Sequence, residues 1–236
     1  MNKPLVIWDA GHGGSDTGAH AFGTKEKDWT LEAALYLHNR SKELGIPTHI
    51  VREKDITLEA LPRTTIVKNS GATFCISCHF NAFNSQAKGV ETIYSIFKGS
   101  HDSKGLAEKI AYAISNEGMD FRRVFSRQGT NDFDYYYMHR MTGKVETVIV
   151  EFGFIDNEGD YDKLRFKEFR IKLYEATLRA FCEHTGNLYQ LPNSSIDVLD
   201  EYYKVQIFAG SLSGAEKVAQ EAENKGFETF IVKEKK

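Results

Sequence analysis

The chain has 236 residues, enough for one ordinary domain and a small appendage. A hydrophobic content of 41% supports a packed core rather than disorder, and a net charge of -3 leaves no basic footprint for nucleic acid. No apolar run approaches the roughly 20 residues that cross a bilayer, so membrane insertion is not expected.

Residues 4–10 read as a buried strand that runs into a glycine-rich loop extending to Gly23. Cleaving a signal peptide there would remove a core strand, so synthesis in the cytoplasm without one is expected. The glycines invite a phosphate-loop reading. It fails because no Gly-Lys-Ser/Thr follows, the next helix starts too late, and Asp16 would face the phosphate. The glycines are better explained by a backbone that bends tightly around His12.

Leu31, Ala34, Leu35, Leu37 and Leu44 give residues 27–44 a helical spacing that stops at Gly45. A strand near 47–52 and a helix near 57–69 follow, with Thr57 as candidate cap. Next come strands at 73–79 and 88–97 and a helix at 103–117. Residues 120–143, polar, aromatic and irregular, read as a long loop near the site. A strand at 145–151 leads to a helix near 159–184. Strands alternating with helices predict an α/β fold, a mostly parallel twisted sheet with helices on both faces. The three cysteines are an odd count, which does not suggest a disulfide framework. Cys75 and Cys78 lie three apart in a strand and point to opposite faces, so they and Cys182 read as small core residues.

The chemistry is carried by residues at the ends of these segments. His12 closes the first strand, His79 the third and Glu151 the last, while Glu26 opens the first helix. In a parallel sheet the three strand ends meet at the carboxyl edge, where open α/β folds place ligands. Two imidazoles and one carboxylate make a three-ligand zinc site with an open position for water, and the remaining carboxylate is free to move protons. Each residue alone has an ordinary structural reading, such as a hydrogen-bonded histidine or a glutamate on a helix dipole. Their convergence is harder to explain that way, although ligands this far apart have no local signature.

The segments Asp9–Ala19, Lys25–Asp28, Ser77–Ala82, Gly89–Thr92 and Val150–Phe154 resemble the type 3 zinc-dependent N-acetylmuramoyl-L-alanine amidases. The resemblance spans roughly residues 4–184, in the family's order. It implies that His12, Glu26 and His79 hold one zinc ion and that Glu151 is the catalytic carboxylate. It further implies a peptidoglycan substrate, cleaved between N-acetylmuramic acid and the L-alanine of the stem peptide. Asn81, in the family's His-x-Asn, is expected to shape the site and contact substrate. Phe80 and Phe152 depart from the family in replacing smaller or aliphatic residues, as Thr17 does in replacing proline. A wall-binding protein with an inactive amidase-like domain, or a zinc peptidase acting within the stem peptide, are the alternatives; the first has no need of Glu151. Of the other histidines, His139, beside Tyr135–Tyr137, is the candidate for a substrate hydrogen bond. His20, His38, His49, His101 and His184 read as surface or capping residues.

Three segments are expected: a catalytic domain over 1–185, a linker over 186–200 and a βαβ tail over 201–236. The tail resembles half of a sporulation-related repeat (SPOR) module, a family that binds glycan strands. It is too small to bury a core alone, so a homodimer through these residues is expected. A phage endolysin or a bacterial autolysin, acting on the wall after lysis, fits this layout, with the phage enzyme preferred.

Overall fold

A computed structural model describes residues 6–97 and 102–192. In chain order its first elements are β1 (Val6–Ala10), the hairpin β2 (His20–Ala21) and β3 (Thr24–Lys25), α1 (Glu26–Glu43) and β4 (Thr48–Ile50). Then come α2 (Ala60–Asn69), β5 (Phe74–Asn81), β6 (Val90–Tyr94), α3 (Ser103–Asn116) and β7 (Phe121–Phe125). A short 3-10 turn at Thr130–Asp132 precedes α4 (Tyr137–Arg140), β8 (Glu146–Phe154), α5 (Glu158–Leu164) and α6 (Lys167–Thr185).

The main sheet has the order β4-β1-β5-β8-β6-β7. β4, β1, β5 and β8 are parallel, whereas β6 runs antiparallel to β8 and parallel to β7. The expected α/β architecture with a mostly parallel sheet is therefore present. Period-two alternation sorts the strand residues between two apolar clusters. Trp8, Ile76, Cys78, Phe80, Val150 and Phe152 face α1, α3 and α6, where Leu37, Ile110, Leu178 and Phe181 meet them. Ile7, Cys75, Ile93 and Ile149 face the other way, onto Val67 of α2 and Met138 of α4. Phe80 and Phe152 meet at 5.3 Å with tilted rings and Phe152 meets Tyr174 edge-on at 5.2 Å, so these two large rings fill the space between sheet and helix. All three cysteines are free and buried, and Cys75 and Cys78 enter opposite clusters.

Several elements differ from the sequence reading, each for a physical reason. The helix expected over 159–184 is two helices. Arg170 donates to the carbonyls of Leu164 at 2.7 Å and Arg165 at 3.3 Å, capping the end of α5 where the chain turns into α6. Thr57 caps nothing; its Oγ1 accepts from the backbone N–H of Ser15 at 3.0 Å, tying the loop before α2 to the glycine loop. The stretch read as a loop contains the edge strand β7 and α4. His38, expected at the surface, is buried with Nδ1 3.3 Å from Thr48 Oγ1. The chain divides between Leu191 and Pro192, and the fold above belongs to the first unit. The expected tail over 201–236, and the linker beyond residue 192, lie outside the described residues.

Candidate metal centre

The loop after β1 and the first turn of α1 meet the end of β5 on the sheet face that carries α2 and α4. His12 sits in the left-handed region at φ 58°, a conformation uncommon for a residue with a Cβ and held here by its surroundings. Buried Arg63 of α2 donates to the carbonyls of His12 and Ala10, each at 2.6 Å, and to Asp9 Oδ1 at 2.6 Å. Ser77 Oγ donates to the other oxygen of Asp9 at 2.6 Å. Arg52 adds bonds to Ala10 O at 3.1 Å and Gly11 O at 2.9 Å. Two arginines thus grip the backbone that presents His12. A Cβ at Gly11 would collide with the His79 ring, and one at Gly18 with the His12 ring and Glu26 Oε2. Those two glycines are space requirements of the site.

His12, Glu26 and His79 each offer a ligand atom, all within 4.8 Å of one another. Glu26 Oε2 lies 3.1 Å from His12 Nε2, and Glu26 Oε1 lies 2.9 Å from His79 Nδ1. Tetrahedral zinc with bonds near 2.0–2.1 Å sets its ligand atoms about 3.3 Å apart, so this donor set fits the ion in chemistry and spacing. Backbone N–H groups orient the carboxylate: Phe80 N donates to Oε1 at 2.9 Å and Ala19 N to Oε2 at 2.8 Å. Asp16 Oδ2 lies 2.8 Å from His12 Nδ1, the place of the outer carboxylate that would fix the His12 imidazole were it to bind a metal. Burial disfavours the His12 imidazolium, but Glu26 and Asp16 outweigh it and raise the pKa. Burial also opposes ionisation of Glu26, and the two histidines overcome it, holding Glu26 well below the usual carboxylate range.

Glu151 lies beside this cluster, its Cα paired with His79 on one side and with Glu91 on the other. Burial, then the charges of Glu26 and Glu91, pushes its pKa well above an ordinary carboxyl. Its Oε2 is buried with no hydrogen-bond partner among the described residues, leaving an oxygen available to a water or a substrate. Tyr136 borders the same space: burial and then the charge of Glu151 raise its hydroxyl pKa.

Two further sequence candidates fall elsewhere. Asn81 is not in the ligand cluster; its Nδ2 donates to Glu91 Oε2 at 3.0 Å. His139 has a side chain 0% exposed, 4.0 Å from Asp134, with ring nitrogens near the backbone of Ile93 and Thr147 but outside hydrogen-bond geometry. In that position the ring is enclosed by its own fold and stands apart from the cluster of His12, Glu26 and His79. The aromatic residues around it signalled packing. Conversely, the sequence reading assigned no role in the site to Arg63, Arg52, Asp16 or Glu91. A glutamate at a core position of an otherwise apolar and β-branched strand was the available signal for Glu91.

The model of the N-acetylmuramoyl-L-alanine amidase family matches residues 6–183. An N-acetylmuramoyl-L-alanine amidase, CwlM of Bacillus licheniformis, is 28% identical over 230 residues, covering 96% of this chain and 84% of its own. An endolysin of Bacillus phage SPP1 is 30% identical over 170 residues, covering 72% of this chain and 61% of its own. Among solved structures, the CwlD amidase of Clostridioides difficile, in complex with the GerS lipoprotein, superposes with a TM-score of 0.69 at 28% identity, covering 78% of this chain and 99% of that one. With the match running from the first described strand into the last described helix, the chain belongs to the N-acetylmuramoyl-L-alanine amidase family.

Proposed function

We propose that this protein is a zinc-dependent peptidoglycan amidase that hydrolyses the bond between N-acetylmuramic acid and L-alanine of the stem peptide. The observation that carries the reading is the convergence of His12, Glu26 and His79 on one point with Glu151 on the adjacent strand. The three would hold a single zinc ion. When bound, zinc polarises the scissile carbonyl and lowers the pKa of a water molecule. Glu151 takes the proton of the attacking water and passes it to the departing amine of L-alanine. A carboxyl whose affinity for protons is raised by burial and by Glu26 and Glu91 suits both halves of that transfer. Asp16 and the backbone donors to Glu26 keep the ligands in place as the proton moves.

Glu151→Gln tests the assignment. Glutamine is nearly isosteric and cannot accept the proton, so the zinc-replete variant should lose about 10²–10⁴ in turnover with fold and metal content kept. Near-normal turnover refutes the role of Glu151. Residues 201–236 are proposed, from the SPOR resemblance alone, as a wall-binding half-module that pairs two chains.

A further inference from the structure

β7 meets β6 with a register shift: Val90 pairs with Phe121, but Glu91 pairs with Arg123. Arg122 is the extra residue of this bulge. In a regular strand Arg122 and Arg123 point to opposite faces; the bulge brings both to one carboxylate. Arg122 Nε donates to Glu91 Oε1 at 2.6 Å, and Arg123 Nε donates to the same oxygen at 2.8 Å. Glu91 is buried, with its other oxygen bound by Asn81. Two guanidinium groups against one carboxylate leave a positive charge in excess. The arginine side chains stay 35% and 52% exposed and make no other hydrogen bond among the described residues. Each also lies over an aromatic ring: Arg122 Cζ is 5.2 Å from the Phe154 ring centre and Arg123 Cζ 4.0 Å from that of Phe125.

The position of this pair gives it meaning. His79, Glu151, Glu91 and Arg123 form one row across four adjacent strands. At about 4.8 Å per strand, Arg123 stands about 10 Å from Glu151 and about 14 Å from His79 between Cα atoms. An extended peptide advances about 3.3 Å per residue, so a group one residue beyond the scissile amide comes within reach of a long arginine side chain.

We propose that Arg122 and Arg123 form a carboxylate-binding subsite for the peptide side of the substrate, taking a free carboxylate on the residue that follows L-alanine. The proposal rests on the amidase reading. With each Nε spent on Glu91, the outer Nη groups present donors to a second carboxylate, and charge-assisted bonds of this kind are the strong ones. Glu91 is the positioning residue. A carboxamide in the same place carries no charge and turns N–H donors toward cations.

Two N-acetylmuramoyl peptides that differ only in whether the residue after L-alanine bears the free carboxylate or its carboxamide provide the test. Wild-type protein should favour the carboxylate by about tenfold or more in kcat/KM, with the difference in KM. Arg123→Gln and Arg122→Gln should each shrink that ratio several-fold, and Arg123→Lys should recover part of it. Calorimetric titration with the corresponding L-alanyl peptides reads the same preference without turnover. Equal binding and equal turnover of the two forms by wild type, or a preference that survives both glutamine variants, overturns the subsite. Preferential binding of the carboxylate by a protein that cleaves neither substrate upholds the subsite and overturns the amidase reading instead.

Discussion

Arg63→Met removes a cation from a fully enclosed polar cluster beneath the site. Arg63 is 1% exposed and its partner Asp9 is 0% exposed. Methionine leaves Asp9 with the Ser77 hydroxyl as its hydrogen-bond donor and the more distant charge of Arg52, and breaking a buried pair of this kind costs about 3–5 kcal/mol. The carbonyl of His12 loses its guanidinium donor, whereas that of Ala10 keeps Arg52. In a domain of this size each kcal/mol moves Tm by about 2–4 °C, so a fall of about 6–20 °C is expected. Differential scanning calorimetry of the zinc-loaded variant measures it. Adding Asp9→Asn removes the stranded charge and should restore part of the loss, a coupling that a double-mutant cycle isolates. The two arginines also hold the left-handed backbone at His12, so the single variant should bind zinc more weakly. A shift under about 3 °C, or strictly additive effects of the two substitutions, refutes the role given to this cluster.

Other outcomes follow from the same geometry. His79→Ala should leave most of the zinc behind on purification, read by elemental analysis; full retention removes His79 from the ligand set. Burial lowers the His139 pKa from 6.5 to about 4, so the folded protein resists protonation there. The unfolded chain then binds more protons between those values, and the stability due to neutral His139 is complete above pH 6.5 and lost as pH falls toward 4. The full effect is about 3 kcal/mol, and His139→Gln should flatten the slope of urea-unfolding stability over that range; an unchanged slope contradicts it. Light scattering should find a dimer for the full chain and a monomer for a version ending near Gly186. A monomeric full chain at high concentration contradicts pairing through residues 201–236.

The meeting of the site's side chains was legible because the strands concerned are apolar runs that end abruptly on a polar side chain, and a parallel sheet gathers such ends at one edge. His12, His79 and Glu151 fall out of that pattern, and Glu26 marks the start of an amphipathic helix. What surrounds them was not legible. β7 reads Phe-Arg-Arg-Val-Phe, an edge strand whose charged residues break the alternation and whose bulge depends on its neighbour. The break between α5 and α6 leaves the helical period intact and is made by Arg170, whose carbonyl partners no spacing identifies. Arg63 looks like any helical arginine until α2 is laid over Asp9. His139 sits in a polar, aromatic stretch that reads as a rim and folds as a small second core with Met138.

Mass spectrometry of purified peptidoglycan digested by the zinc-loaded protein tests the proposed reaction most directly. The expected products are stem peptides with a new free amine on L-alanine and glycan strands whose N-acetylmuramic acid keeps its lactyl carboxylate, absent from a digest with Glu151→Gln. Cleavage within the stem peptide or the glycan, or no release of peptide at all, contradicts it.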